Sequence, residues 1–328
     1  MTILEQLPEG SHVAVIRLRS LGDCVLTTPG LALLKCERPD LAVGVAVEPP
    51  FRALFEGNPA VSEILEARWQ AVRAWKPKLC VNLHGGTRSQ WMTALSGAKW
   101  RAGFAHHSFT LAYNLKISRA QQIMGVNRTV HTVEHLASAF FALGVAQQAV
   151  PRAQLYAANS PIEGRYAVLH PFASAPEKQW PTERFLEIAR YLRLWNITPV
   201  FLCGPVDDAA PFAAHRVFRG TLAEVKNVLS KAVVFVGNDS GPAHMAAAFA
   251  LPSIVLFSTS NPAIWAPWRT EAEIIVAPDG MNQVSVSRVV AALERLRVLK
   301  DAHRPVGPAR GAGSGPDWAR IRDEEARA

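Results

Sequence analysis

Residues 156–170 read Tyr156-Ala-Ala-Asn-Ser-Pro-Ile-Glu-Gly-Arg-Tyr-Ala-Val-Leu-His170. The stretch as far as Arg165 is polar and broken by Pro161 and Gly164, which marks a connection. Tyr166–His170 then forms a short apolar run of the length of a buried strand. The pattern of segments after this run repeats the pattern before it. Upstream, His12–Arg17, Leu41–Val47 and Leu79–Leu83 read as strands, and Asp23–Cys36, Thr87–Ser96 and His131–Leu143 as helices. Downstream, Thr198–Cys203, Val233–Val236 and Ser253–Phe257 read as further strands. Thr182–Leu194, Leu222–Ser230, Pro242–Phe249 and Val286–Leu299 read as the helices between and after them. Strands alternating with helices predict α/β layers with parallel sheets. The restart predicts two such domains, 1–158 and 159–300, with ligands at the carboxyl ends of the strands in the cleft between them.

The chain is 328 residues long, with 49% hydrophobic and 19% charged residues, which excludes disordered and collagenous classes. No window holds the roughly 18 consecutive apolar residues of a membrane span. Before the first apolar run stand Glu5 and Glu9 and no base, unlike a secretory signal. Cys24, Cys36, Cys80 and Cys203 stand apart from one another and from any His at ligand spacing, so neither a zinc site nor a disulfide framework is encoded locally. They suit a reducing cytoplasm and are expected in the core. Residues 301–328, with Pro, Gly and balanced charge, read as a disordered tail.

The net charge of +8 is unevenly placed, with 16 Lys/Arg against 10 Asp/Glu in residues 1–155 and 14 against 12 in 156–300. Ala67–Val133 holds ten Lys/Arg and no acid. A charge run is commonly a solvated face, yet ordinary surfaces intersperse both signs. The stretch is therefore expected to face anions, on a phosphorylated partner or an anionic membrane. It carries no recognition-helix or base-stacking motif, so nucleic acid is not the expected partner.

Three loops carry candidate chemistry. Arg17-Leu-Arg-Ser-Leu-Gly-Asp23 joins a strand to a helix, and Asp23 either caps that helix or serves as a general base facing the cleft. It is not the GxGxxG of a dehydrogenase. His170-Pro-Phe-Ala-Ser-Ala-Pro-Glu-Lys-Gln-Trp-Pro181 offers Ser174 and Lys178 to a ligand, and Pro181 opens the next helix. Val236-Gly-Asn-Asp-Ser-Gly-Pro-Ala-His244 runs from a strand into a helix whose free amides suit a phosphate or pyrophosphate. There Asp239 can accept hydrogen bonds from sugar hydroxyls, and His244 points back to the same end; the alternative is a capped helix with a core histidine.

Together these loops match a family. Arg19-Ser-Leu-Gly-Asp23, Lys178-Gln-Trp-Pro181 and Asn238-Asp-Ser-Gly-Pro-Ala-His244 resemble segments of the ADP-heptose:lipopolysaccharide heptosyltransferases, as do His84-Gly-Gly-Thr-Arg88 and His131-Thr-Val-Glu-His135. The resemblance covers roughly residues 12–300 and implies the GT-B fold, two Rossmann-like parallel-sheet domains facing across a cleft. The N-terminal domain would bind the acceptor and the C-terminal domain the nucleotide sugar. It also implies that Asp23 is the catalytic base, that Lys178 lies near the donor phosphates and that Asp239 lies near the transferred sugar. Ser240 and Gly241 would supply amides to the pyrophosphate, with Ser174 and His244 beside them. One position departs: the acid proposed to hold the donor ribose is Ala223 here, with Glu224 one place on, turned by about 100° on a helix.

The implied reaction is an inverting, metal-independent transfer of heptose from ADP-heptose to a phosphorylated inner-core or lipid A acceptor of lipopolysaccharide. Asp207-Asp208, after a Gly-Pro turn, reads as a helix N-cap rather than a metal ligand, and no cofactor is expected. Arg19, Arg88 and Arg101 are the expected acceptor contacts, while Trp91, Trp100 and Phe104 suit core packing better than a lipid or sugar face. Such a protein would be cytoplasmic and peripheral at the inner face of the inner membrane. The alternatives are a GT-B transferase of another nucleotide sugar, a related epimerase, or a non-catalytic nucleotide-sugar-binding assembly protein.

Overall fold

The computed structural model describes residues 1–107, 109–296 and 298–299, so the tail expected over 301–328 lies outside the described residues. The N-terminal half runs β1 (His12–Ile16), α1 (Leu21–Glu37), β2 (Ala42–Val47), β3 (Glu63–Glu66), α2 (Trp69–Ala74), β4 (Leu79–Asn82), α3 (Thr87–Ala94), β5 (Trp100–Phe104), β6 (Leu115–Ile117), α4 (Ala120–Met124) and α5 (Thr132–Leu143). The C-terminal half runs β7 (Tyr166–His170), α6 (Thr182–Leu194), β8 (Thr198–Leu202), β9 (Arg216–Phe218), α7 (Leu222–Leu229), β10 (Val234–Asn238), α8 (Gly241–Ala248), β11 (Ser253–Phe257), α9 (Pro262–Trp265), β12 (Ala272–Val276) and α10 (Val286–Arg295).

Each half holds a six-stranded parallel sheet, in the orders β3-β2-β1-β4-β5-β6 and β12-β11-β10-β7-β8-β9. Counted within its own half, the second order is the first again, the doubly wound arrangement. Strand order therefore reverses between β1 and β4 and between β7 and β10, where such sheets bind ligands.

The central strands are apolar along their length because helices cover both faces; Val13, Ala14, Val15 and Ile16 of β1 have no exposed surface. Five strands, β3, β5, β6, β9 and β12, escape the sequence reading. Four of them are sheet edges, short and partly exposed, and β5 (Trp-Arg-Ala-Gly-Phe) interrupts its apolar run with Arg101 and Gly103. Three cysteines are buried as expected; Cys36, near the end of α1, is exposed.

The halves share one apolar cluster, which runs from Val13 and Val15 through Val25 to Met245 and Phe257. Polar contacts tie them as well. Lys226 Nζ on α7 donates to the Ala53 carbonyl at 2.6 Å, His131 Nε2 to the Ala266 carbonyl at 2.8 Å, and Trp268 Nε1 to the Pro151 carbonyl at 3.1 Å. Burial pulls the Lys226 ammonium below its ordinary range. Among the described residues no helix is long and apolar enough to cross a membrane.

Candidate active site

The loops leaving β1 and β10 meet at the bottom of the cleft. A Cβ on Gly22 would lie 2.7 Å from His244 Cδ2, and one on Gly241 would lie 2.7 Å from Leu21 Cδ2. Only glycine lets the first turns of α1 and α8 approach this closely. Both helices thus bring their unpaired amides and partial positive charge to one place.

Asp23 lies in the first turn of α1, whose N-cap is Ser20. Its carboxylate caps no amide. One oxygen pairs with Arg17 and the other accepts from Ser20 Oγ at 2.9 Å. The Arg17 side chain, 8% exposed, also donates to the Leu83 carbonyl at the end of β4, so it bridges the switch point of the first sheet. Asp23 is 22% exposed and stays open to the cleft. The capping alternative is therefore not how the fold uses Asp23; the fold fixes a carboxylate at a strand end and leaves it reachable.

Four histidines stand on this side. Burial and then Arg17 lower the pKa of His84. His135 stacks on Phe104 with ring centroids 4.1 Å apart, and His106 and His107 complete the group. Burial, then neighbouring imidazoles and Arg17, push His107 and His135 down to about 4. Both rings are neutral at neutral pH.

Across the cleft, Lys178 closes a short 3-10 turn after β7. Its Nζ lies 3.8 Å from Asp239 Oδ2 and donates to Ser260 Oγ at 2.5 Å. Ser240 is the N-cap of α8; its hydroxyl donates to the Asn238 carbonyl at 3.0 Å and sits 3.1 Å from His170 Nδ1. Asn238 clamps the loop, accepting from the Trp180 amide at 3.1 Å and donating to the Pro171 carbonyl at 2.7 Å. Ser174 is exposed in that same loop. His244 is 5% exposed, its Nδ1 has no partner, and burial pushes its pKa down to about 4.

The sequence-predicted residues divide accordingly. The first turn of α1, which carries Asp23, meets the first turn of α8, which carries Gly241 and buried His244; Asp239 and Ser240 lead into that turn, Lys178 pairs with Asp239, and Arg19 is exposed in the loop before Asp23. Glu224 is turned back on its own helix end. Its carboxylate accepts from the Thr221 amide at 2.7 Å and hydroxyl at 2.8 Å, as a capping box. Arg88 pairs with Glu48 at 2.9 Å beside the end of β2. Arg101 is not brought to the cleft: it lies near the start of β5, where its guanidinium donates to the Ala98 and Ala112 carbonyls at 3.1 Å each. Asp207 and Asp208 receive the amides of Gly204 and Ala210. Phe104 is buried and Trp100 partly so, as core packing requires, whereas Trp91 is exposed. Sequence reasoning gave no role to Arg17, His135 or Ser260. Arg17 stood at a strand end next to a candidate base, and His135 in one of the family-like segments; Ser260, 82 residues from Lys178, left no local signal.

Two doubly wound halves packed against each other form the GT-B fold. A profile of glycosyltransferase family 9 (heptosyltransferase) matches residues 66–291, and the chain belongs to that family. Lipopolysaccharide heptosyltransferase 3 of Escherichia coli K12 is 24% identical over 296 residues, spanning 76% of this chain and 83% of that protein. The solved structure of E. coli ADP-heptose LPS heptosyltransferase II is 20% identical with a TM-score of 0.75, covering 88% of this chain and 99% of that one. E. coli heptosyltransferase WaaC, solved with ADP, is 21% identical with a TM-score of 0.72, covering 87% and 99%.

Proposed function

We propose that this protein transfers heptose from ADP-heptose, with inversion, to a phosphorylated inner-core or lipid A acceptor of lipopolysaccharide presented at the inner face of the inner membrane. The observation that carries the reading is the juxtaposition of a held, reachable carboxylate, Asp23, with the first turn of α8. Asp23 accepts the proton of the acceptor hydroxyl as that oxygen attacks the anomeric carbon. Arg17 and Ser20 aim the carboxylate. The bond to the diphosphate breaks on the opposite side, and its charge collects near Lys178 and the amides of Ser240 and Gly241. Asp239, next to Lys178, accepts from hydroxyls of the transferred sugar. In this scheme the lysine and helix end neutralise the leaving group, so no divalent cation is called for.

The heptose, the ADP and the acceptor are inferred from the names of the relatives, WaaC with ADP-2-deoxy-2-fluoro heptose among them. The test is acceptor-dependent release of ADP by the wild type and by Asp23→Asn. The variant should bind ADP as the wild type does and lose about 10²–10⁴ in rate. Near-normal turnover would move the base elsewhere, and ADP binding without any acceptor-dependent release in the wild type would favour a binding protein.

A further inference from the structure

The outward face of α3 opens with Thr87 and Arg88 and then turns apolar toward its C-terminal end. Trp91 and Leu95 lie one turn apart on it, 54% and 37% exposed. The turn at Thr110–Ala112 packs nearby and adds Phe109, whose ring centroid is 6.2 Å from that of Trp91, and Leu111, which is 82% exposed. Adjacent large side chains this exposed mark an interaction surface. Ala67–Val133 contains no acid; Arg68, Arg88 and Arg128 pair with Glu66, Glu48 and Glu134 just outside it or on another element, while exposed Arg73, Lys99 and Arg119 make no ion pair among the described residues. Aromatic rings and an aliphatic tip set among cations match the interface of an anionic bilayer, where rings sit at headgroup depth and cations meet phosphates.

We infer that α3 and the turn at 109–112 dock on an anionic lipid bilayer. This rests on the lipid-linked acceptor proposed above and adds the part of the chain that meets the lipid. The unpaired cations Arg73, Lys99 and Arg119 fit a continuous anionic sheet better than a protein, whose surface carries both signs. The patch belongs to the same half as Asp23: α3 follows β4, whose end, at the Leu83 carbonyl, holds Arg17 behind Asp23, while the turn lies toward the start of β5, where its Ala112 carbonyl accepts from Arg101.

The test is co-sedimentation of the full chain, without acceptor, with vesicles of phosphatidylcholine containing phosphatidylglycerol and with vesicles of phosphatidylcholine alone. The wild type should bind the anionic vesicles, and less so as salt rises. A Trp91→Ser, Phe109→Ser, Leu111→Ser variant should lose about tenfold or more of that affinity while transferring normally to a water-soluble, delipidated acceptor. Arg73→Glu with Lys99→Glu should lose binding without removing any apolar side chain. Equal sedimentation of wild type and both variants, equal binding to neutral vesicles, or a wild-type dimer that the triple variant makes monomeric would overturn the assignment. If vesicle binding fails while soluble transfer persists, this surface is wrong and the proposed reaction stands. The opposite result would spare the surface and remove the reaction.

Discussion

Moving from about pH 7.5 to about pH 5 should cost the fold about 4 kcal/mol through two histidines, His170 and His244. They are 8% and 5% exposed, and burial holds each near a pKa of about 4. In the unfolded chain a histidine titrates near 6.5. Between those values the unfolded chain binds a proton that the folded chain does not. The stability is therefore fully present above 6.5 and falls as the pH falls through this window. About 1.5 pH units below 6.5, at roughly 1.4 kcal/mol per unit, each ring costs about 2 kcal/mol. Two rings together approach half of a typical stability of about 5–15 kcal/mol. His107 and His135, also held down at about 4 but less deeply buried, add to the same decline, whereas Asp40, whose carboxyl Arg38 holds down at about 2, keeps its contribution throughout this window. The assay is urea unfolding followed by tryptophan fluorescence across this pH range, on the wild type and on His244→Gln. Glutamine takes no proton, so the variant should show a shallower decline with pH. A wild-type stability that stays flat down to about pH 5 would refute the reasoning, since two rings that accept no proton on unfolding cannot be buried and neutral in the native state.

Lys178→Ala should raise the donor KM and slow transfer by about 10²–10³, and a chelator should leave the wild-type rate unchanged; strict dependence on a divalent ion would remove Lys178 as the neutralising group. Gly22→Ala puts a methyl group 2.7 Å from the His244 ring, so the halves must part at the cleft floor; kcat should fall about tenfold or more with ADP affinity nearly kept, and an unchanged kcat would mean that the contact is not needed in the reacting state. Asn238→Ala leaves the Trp180 amide and the Pro171 carbonyl unpaired in the interior, and should cost about 2–4 kcal/mol of stability and weaken ADP binding with it. A thermal melt and a binding isotherm read both effects.

The interior of the fold was legible and its margins were not. Strands β1, β4, β7 and β10 are buried on both faces, so their apolar runs announce them, and the loops at their ends carry the motifs. The edge strands β3, β6, β9 and β12 obey no such pattern because one side meets water or a single helix. Asp23, Lys178 and Asp239 stand in strand–turn–helix units, which is local information, and their proposed roles come from the resemblance of those units to the family's segments. Glu224 was local too, but a capping box satisfies the carboxylate with its own helix, and a sequence offset says nothing of that preference. Arg101 was judged by its charge alone, although strand register decides which end of the sheet a side chain reaches. Ser260 and the stacking of His135 on Phe104 depend on tertiary approach and leave no trace in spacing.

The polar ties between the halves have a consequence for how the sequence can drift. Lys226, His131 and Trp268 each donate to main-chain carbonyls, those of Ala53, Ala266 and Pro151. A carbonyl persists whatever side chain stands at its position. Each tie therefore requires one particular side chain from one partner and only an unbroken backbone path from the other. The receiving segments are free to change composition, and with it what their half of the cleft recognises, while the grip between the halves is inherited intact.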